Sequence, residues 1–357
     1  MIRKWIDKLG YTLLVLWGVA TLVFILFSVL PGDPAKMMLD QREDSELLRA
    51  INVKYGLDQP LYIQYGYFLN DLSPISWHVN SNSHFTRIQK YPQALEIASL
   101  PSGTLALKWP YLRESFQKEG KSVGSIIAET LPNTMILAFF SILLAIVLGV
   151  FVGVISALKE GSWVDRLATV LGTLGMSLPS FFTAILIAWV FGFVLSEYTG
   201  LSMTGTLRTY DPYGESSYWS WKNLILPATT LGMRPLGVII QLTRSSMLEV
   251  LQQDYIRTAR AKGLSETQVV WRHALRNALN PVITAASGWF ASMLAGAVFV
   301  EYIFGWNGLG KQIVEALNQL DVPVVMGAVM VISLLFVGVN MVVDLLYGWL
   351  DPKVRNQ

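Results

Sequence analysis

The 357-residue chain contains no cysteine. That excludes disulfides, cysteine-ligated zinc and cysteine-ligated iron–sulfur clusters. Histidine is almost absent as well: His78, His84 and His273 are the only three. A histidine-rich metal site is not expected, and neither a metal nor a cofactor is assigned. Charge is scarce, with 15% Asp, Glu, Lys and Arg, against about 25% in an ordinary soluble domain. The net charge of +2 is too small to argue for a nucleic-acid partner. No G-x-x-x-x-G-K phosphate loop is read in the chain, so it is not expected to hydrolyse ATP itself.

What is abundant is apolar sequence. Hydrophobic residues make up 53% of the chain, and they are clustered. Six runs approach or exceed the ~18 residues that read as a membrane span: 11–30, 134–158, 167–195, 225–247, 282–304 and 324–349. The fold class predicted is therefore all-α, a polytopic membrane protein. Twelve Trp and fourteen Tyr suit interfacial anchors. The first run follows Arg3, Lys4 and Lys8 and resembles a signal peptide. At ~20 residues it exceeds the 7–15 of a signal core, and it ends in Leu30-Pro31-Gly32-Asp33-Pro34, a helix stop. It reads as an uncleaved first span after a short stub, both within 1–30. The third run carries Ser177-Leu178-Pro179-Ser180 near its middle, which predicts one long span kinked at Pro179.

Charge placement sets the orientation. Arg3, Lys4 and Lys8 lie before the first span, and Lys159 and Arg166 lie between the second and third. Arg257, Arg260, Lys262, Arg272 and Arg276 lie between the fourth and fifth, and Lys353 and Arg355 lie in the tail 350–357. With six spans all of these share one side, so the positive-inside rule places both termini in the cytoplasm. The long segment 31–133 is then extracytoplasmic. Within it, 45–56 reads as a short helix capped by Ser45 and Gly56. Pro60 opens a second helix with Leu61, Tyr65, Phe68, Leu69 and Leu72 on one face. The stretch 73–109 reads as an irregular insertion. A core of five spans, 134–349, contains a basic loop at 248–280.

That loop is the most informative stretch. Asp254 to Ser265 reads D-Y-I-R-T-A-R-A-K-G-L-S, and His273 to Pro281 reads H-A-L-R-N-A-L-N-P. Gly263 can end a helix in the left-handed conformation. Ser265 with Gln268 forms a capping box that restarts one. Small residues such as Ala259 and Ala261 permit close approach of another surface. An ordinary positively charged anchor explains the charges, but not the Ala-x-Ala-Lys-Gly pattern.

Residues 255–264 with 272–279 resemble the loop of ABC-importer permeases of the dipeptide, oligopeptide and nickel type. The resemblance runs along nearly the whole chain. It includes Leu30–Pro34, Tyr55–Leu61, Ala157-Leu158-Lys159 with Ser162–Arg166, Ser177–Phe181, Glu301–Phe304 with Gly308-Leu309-Gly310, and Asp351-Pro352. It departs from the pattern at Asn307, where many members have proline, and in the long insertion 73–109.

The resemblance implies a type I ABC-importer permease fold and a coupling helix that sits in a groove on a separate ATPase. Carried over by residue, Arg257, Thr258, Ala259, Ala261, Lys262, Gly263 and Leu264 are the coupling positions. His273, Arg276 and Asn277 pack the loop. The implied partners are a second homologous permease, two cytoplasmic ATP-binding subunits and an extracytoplasmic solute-binding protein. The implied location is the bacterial inner membrane. Peptides are the implied solutes, with nickel chelates and other small solutes as alternatives.

Isolated ionisable residues inside the spans invite further hypotheses. Arg234, followed by Pro235, is costly at depth. It either faces the translocation path and attracts a peptide carboxylate, or snorkels to the headgroups or pairs with a carbonyl. Asp344 and Arg244 lie at similar depth and are offered as a structural pair. Pro179 is either a gating hinge or a static kink. Two other classes fit less well. An intramembrane enzyme needs paired catalytic groups inside spans, and a solitary secondary transporter usually shows two matched halves.

Overall fold

The computed structural model describes residues 2–29, 45–79, 88, 91, 93–211 and 216–350. The side chains of 2–9, 29, 47, 51, 54, 210 and 344–350 are outside the described set. The chain divides into two compact units, Met1–Glu129 with Gln312–Leu334, and Thr130–Lys311 with Leu335–Gln357.

The first unit opens with helix α1 (Ile2–Val29). Helix α2 (Ser45–Tyr55) is terminated by Gly56 at φ 68°, a conformation glycine adopts without steric cost. Pro60 then stands at the N-terminus of α3 (Leu61–Leu72). Helix α3 packs on α1 through aromatic and polar contacts. The Thr21 and Tyr65 hydroxyls share a hydrogen bond of 2.6 Å, and the rings of Phe24 and Phe68 stack at 5.6 Å.

Three strands follow: β1 (Ile75–His78), β2 (Leu95–Leu100) and β3 (Gly103–Leu107). They form an antiparallel sheet in the order β1-β3-β2, with Ile75 opposite Leu107 and Leu107 opposite Leu95. The stretch 73–109 is thus not wholly irregular, as its composition suggested. The strands are short and most of their buried side chains are polar, Ser76, His78 and Thr104 against Ala106, with buried Lys108 just beyond β3. That conceals the apolar-in alternation by which a strand is normally recognised.

The second unit is helical. Helix α4 (Val123–Leu158) enters it from the first unit. Helix α5 (Trp163–Ser177) is capped by the Ser162 side chain, which accepts from the Asp165 N–H. Helix α6 (Ser180–Trp189) runs through a π-helical turn, Val190–Val194, into the short α7 (Ser196–Thr199). A two-stranded hairpin, β4 (Arg208–Tyr210) with β5 (Ser217–Trp219), leads to α8 (Lys222–Leu251).

Two further short helices follow α8: α9 (Asp254–Ala261) and α10 (Glu266–Gln268). A second π-helical turn, Val269–Ala274, continues into α11 (Leu275–Gly296) and α12 (Val298–Ile303). Helices α13 (Leu309–Asn318) and α14 (Val322–Leu350) complete the chain.

Helix α8 is the hub of this unit, with α5 and α11 packed on it. Glycine permits the closest approach. A Cβ built on Gly237 of α8 would lie 2.3 Å from the Gly172 carbonyl oxygen of α5. On the α4 side, Gly149 and Gly153 sit against Ile239 and Thr243, the small-xxx-small spacing of packed membrane helices. Leu137, Ala138, Ile239, Val282 and Met293 belong to the apolar core.

Among the described residues, four helices are long and apolar enough to cross a membrane: Gly10–Ser28, Val123–Leu158, Lys222–Leu251 and Val322–Val343. Helices α5 and α6 make a fifth if the pair is one broken span. They meet at an angle of 111°, so the predicted kink at Pro179 is a break. Leu178 and Pro179 are both extended, with ψ near 135°. That is the conformation proline imposes on its predecessor. The predicted span 282–304 does not reach the same apolar standard. Its residues divide between α11 and α12 at Ala297, and Thr284, Ser287, Ser292 and Glu301 interrupt the apolar run.

Candidate functional site

Helix α9 is amphipathic by position. Ile256 is fully buried and Ala259 nearly so, packed with Val154 and Ala157 of α4, Met247 of α8, and Val269, Val270 and Ala274 of the π-helical turn. Arg257, Thr258, Arg260, Ala261, Lys262 and Gly263 are exposed. Of the coupling positions expected from sequence, Ala259 is therefore corrected. It is part of the seat and not of the outward face, because it falls three residues after Ile256 on the same side of the helix. Leu264 is half-buried and packs on the same cluster.

The turn after α9 is built as its residues dictate. Gly263 has φ 78°, and a Cβ there would touch nothing. Conformation, not space, requires glycine at this point. Ser265 accepts from the Gln268 N–H while the Gln268 side chain accepts from the Ser265 N–H. Across the turn, Arg260 donates to both carboxylate oxygens of Glu266, at 2.8 and 3.2 Å.

The packing residues divide. Asn277 Nδ2 donates to the Tyr255 hydroxyl at 2.8 Å, tying α11 to the start of α9. His273 is half-buried in the π-helical turn, and Arg276 is exposed.

Behind this loop lies a feature that sequence reading missed. Arg244 of α8 donates through Nε and Nη2 to the two carboxylate oxygens of Asp165, at 2.5 and 2.8 Å. Asp165 also accepts from the Ser156 hydroxyl and the Gly161 N–H. Glu160 lies 3.9 Å from the same guanidinium. The pairing offered from sequence for Arg244, with Asp344, falls on a side chain outside the described residues; among the described residues Arg244 pairs with Asp165. The available signal was Ser162-x-x-Asp165, a cap that fixes where Asp165 sits.

A cleft of about 670 Å³ adjoins the clamp, between the α4–α5 turn and α9–α10. Its walls include Lys159, Glu160, Gln252, Arg260 and Glu266.

Elsewhere, Arg234 is exposed on α8, and no ion pair is found for it among the described residues. Pro179 stands at the break between α5 and α6.

The reading that no G-x-x-x-x-G-K run is present is corrected at residues 305–311, which read G-W-N-G-L-G-K. The glycines and lysine have phosphate-loop spacing, but Gln312 occupies the Ser/Thr position and the segment follows a helix instead of a strand. A Cβ on Gly308 would lie 2.3 Å from the Glu301 carboxylate. That fully buried carboxylate accepts from the Lys311 N–H at 3.1 Å. An acidic group packed against this loop is opposite to what a phosphate needs.

Residues 149–356 match the family described as binding-protein-dependent transport system inner membrane component. Residues 1–80 match the N-terminal domain of such membrane components. The dipeptide transport system permease protein DppB of Alkalihalophilus pseudofirmus is 33% identical over 357 residues, covering 96% of each chain. The glutathione transport system permease protein GsiC of Escherichia coli K12 is 33% identical over 340 residues, 95% of this chain and 94% of its own. A crystal structure of an amino acid ABC transporter aligns at a TM-score of 0.47 and 13% identity, over 62% of this chain and 93% of that one. From the family match and the end-to-end likeness to such permeases, the chain belongs to the inner-membrane components of binding-protein-dependent ABC transport systems, the subunits that cross the membrane while a separate subunit hydrolyses ATP.

Proposed function

We propose that this chain is the permease that carries small peptides inward, and that α9 with the Gly263 turn is the element pushed by a separate ATPase. One observation supports this reading above the others. The exposed residues Arg257, Thr258, Ala261 and Lys262 sit on a helix whose opposite face, Ile256 and Ala259, is seated against α4, α8 and the π-helical turn leading to α11. A force applied to the outward face is passed to packed helices and not to a slack loop. ATP-driven closure of the partner would then bias the helices between inward- and outward-open states.

Small peptides are the favoured solutes because the relatives similar over almost the whole chain are named for dipeptide and glutathione transport. The assembly proposed contains a second homologous permease, two ATP-binding subunits and an extracytoplasmic binding protein. Both termini are cytoplasmic, which brings α9 to the ATPase side.

The absence of cysteine permits a direct test. The Ala261→Cys permease, assembled with its ATPase and binding protein in liposomes, should cross-link to a cysteine in the ATPase groove. The same particles should take up dipeptide only with ATP. Solute movement by the purified permease alone would defeat the reading.

A further inference from the structure

The sheet β1-β3-β2 has the polarity of a sheet turned inside out. Its buried face carries Ser76, His78, Thr104 and Lys108, with Ala106 as the apolar member. The other face presents Ile75, Trp77, Leu95, Leu100 and Leu107, continued by Trp109, all exposed; Leu95 is 68% and Trp109 79% exposed. One row across the sheet, Ile75–Leu107–Leu95, is wholly aliphatic. The ring of Trp77 lies over Gly103, where a Cβ would come within 2.6 Å of it. No charged residue interrupts these positions. Water is the wrong solvent for such a face.

On β1 and β3 the polar positions are engaged from beneath, while Glu96 and Ser99 of the edge strand β2 stay exposed, so the sheet cannot simply turn over. Lys108 Nζ donates to the Asp71 carbonyl at 2.5 Å and sits over the Tyr91 ring at 4.9 Å. Asp71 in turn accepts from the Tyr91 hydroxyl and from Arg113 Nε, both at 2.8 Å. Ser76 and His78 share a hydrogen bond of 2.8 Å.

Contacts with α1 set the depth. Tyr65 and Phe68 of α3 pack on Thr21 and Phe24, inside the apolar stretch Gly10–Ser28. Phe24 is about 6 Å of helix rise from Ser28. Helix α3 therefore lies at the edge of the hydrocarbon layer. Only two residues separate α3 from β1. Asn70 of α3 also grips Trp77, accepting from its N–H at 2.7 Å and donating to its carbonyl at 2.9 Å.

We propose that the Ile75–Trp77–Leu95–Leu107–Trp109 face lies in the lipid interface beside the end of α1, an in-plane anchor added to the transmembrane helices. Aliphatic side chains flanked by tryptophans, without charge, match the chemistry of the headgroup–acyl boundary. The sheet is continuous with a helix already packed against a span. The anchor does not depend on the solute or on which side of the membrane is outside.

The natural absence of cysteine makes site-directed spin labelling direct. Single Leu107→Cys and Leu95→Cys permeases, in the assembled transporter reconstituted in phosphatidylcholine vesicles, would carry nitroxides. Ser102→Cys, in the exposed β2–β3 turn, is the aqueous reference. Power saturation should show labels at 107 and 95 more accessible to oxygen than to a water-soluble nickel chelate, with the reverse order at 102. Nickel accessibility at 107 and 95 equal to that at 102 would mean a solvated face. Shielding from both reagents would mean a protein cover. Either result overturns the proposal.

Discussion

Arg244 and Asp165, 79 residues apart in the chain, form a two-pronged ion pair that joins α8 to the first turn of α5. Ser156 and the Gly161 N–H converge on the same carboxylate from α4 and the α4–α5 turn. The pair lies at the end of α8 that leads into α9, the proposed coupling helix. Three helices are thus held in one arrangement beside α9.

Asp165→Asn should weaken this clamp. Removing one partner of a buried pair costs about 3–5 kcal/mol. With the Arg244 side chain 28% exposed, a cost of about 2 kcal/mol is expected, since solvent screens what remains. Thermal unfolding in detergent should show a lower midpoint, and ATP-driven uptake should fall more than ATP hydrolysis. Asp165→Arg combined with Arg244→Asp should recover part of the loss in a double-mutant cycle.

Gly263→Val should leave the seat of α9 intact while distorting the turn. Nothing crowds the position, but a β-branched residue resists φ 78°, at a cost of about 1–3 kcal/mol. The expected outcome is assembled transporter with normal ATPase content and strongly reduced uptake. Equal uptake by the variant and the parent protein would remove this turn from the coupling path.

Gly237→Val tests the hub. The new side chain would collide with the Gly172 backbone, which cannot yield as a flexible side chain can. Overpacking typically costs about 1–3 kcal/mol. A large drop in thermal stability and in recovered complex is expected. Gly288→Ala, with open space around it, should behave like the parent protein.

Arg234→Leu tests the proposed path. If the exposed guanidinium attracts a peptide carboxylate, uptake of a dipeptide with a free C-terminus should fall several-fold relative to its amidated analogue. Competition uptake assays with the two compounds measure this ratio. An unchanged ratio would leave Arg234 as a headgroup contact.

The polar bed of the sheet predicts an alkaline limit. Burial, aided by the carboxylates of Glu114 and Asp71, pushes the Tyr111 phenol up to about 12. Its folded-state value lies above the unfolded value near 10, so its contribution is complete below pH 10 and is lost as pH rises through 12. The first unit should lose stability over that window. Phenolate absorbance compared between the parent protein and Tyr111→Phe would detect it.

Much of this molecule follows from one-dimensional pattern. Apolar runs of about bilayer length predict spans 11–30, 134–158, 225–247 and 324–349, which overlap the observed apolar helices 10–28, 123–158, 222–251 and 322–343, because in lipid a helix satisfies its own backbone. Gly263, Ser265 and Gln268 announce the turn and restart of the loop after α9, since caps act within four residues of one another. Family likeness was carried by the same local motifs.

What tertiary structure decided was which distant residues meet. Arg244 meets Asp165 because α5 and α8 approach at Gly172 and Gly237. Ala259 faces inward because Ile256 and the π-helical turn define a seat there. The bend at Pro179 reaches 111° because two successive extended residues reorient the chain more than a missing hydrogen bond does. The sheet in 73–109 was hidden because its inward face is polar, and that polarity makes sense only once Asp71, Tyr91 and Arg113 are gathered beneath it. Local backbone preferences are written in neighbouring residues. Long-range pairing is set by close packing, which no single stretch of sequence contains.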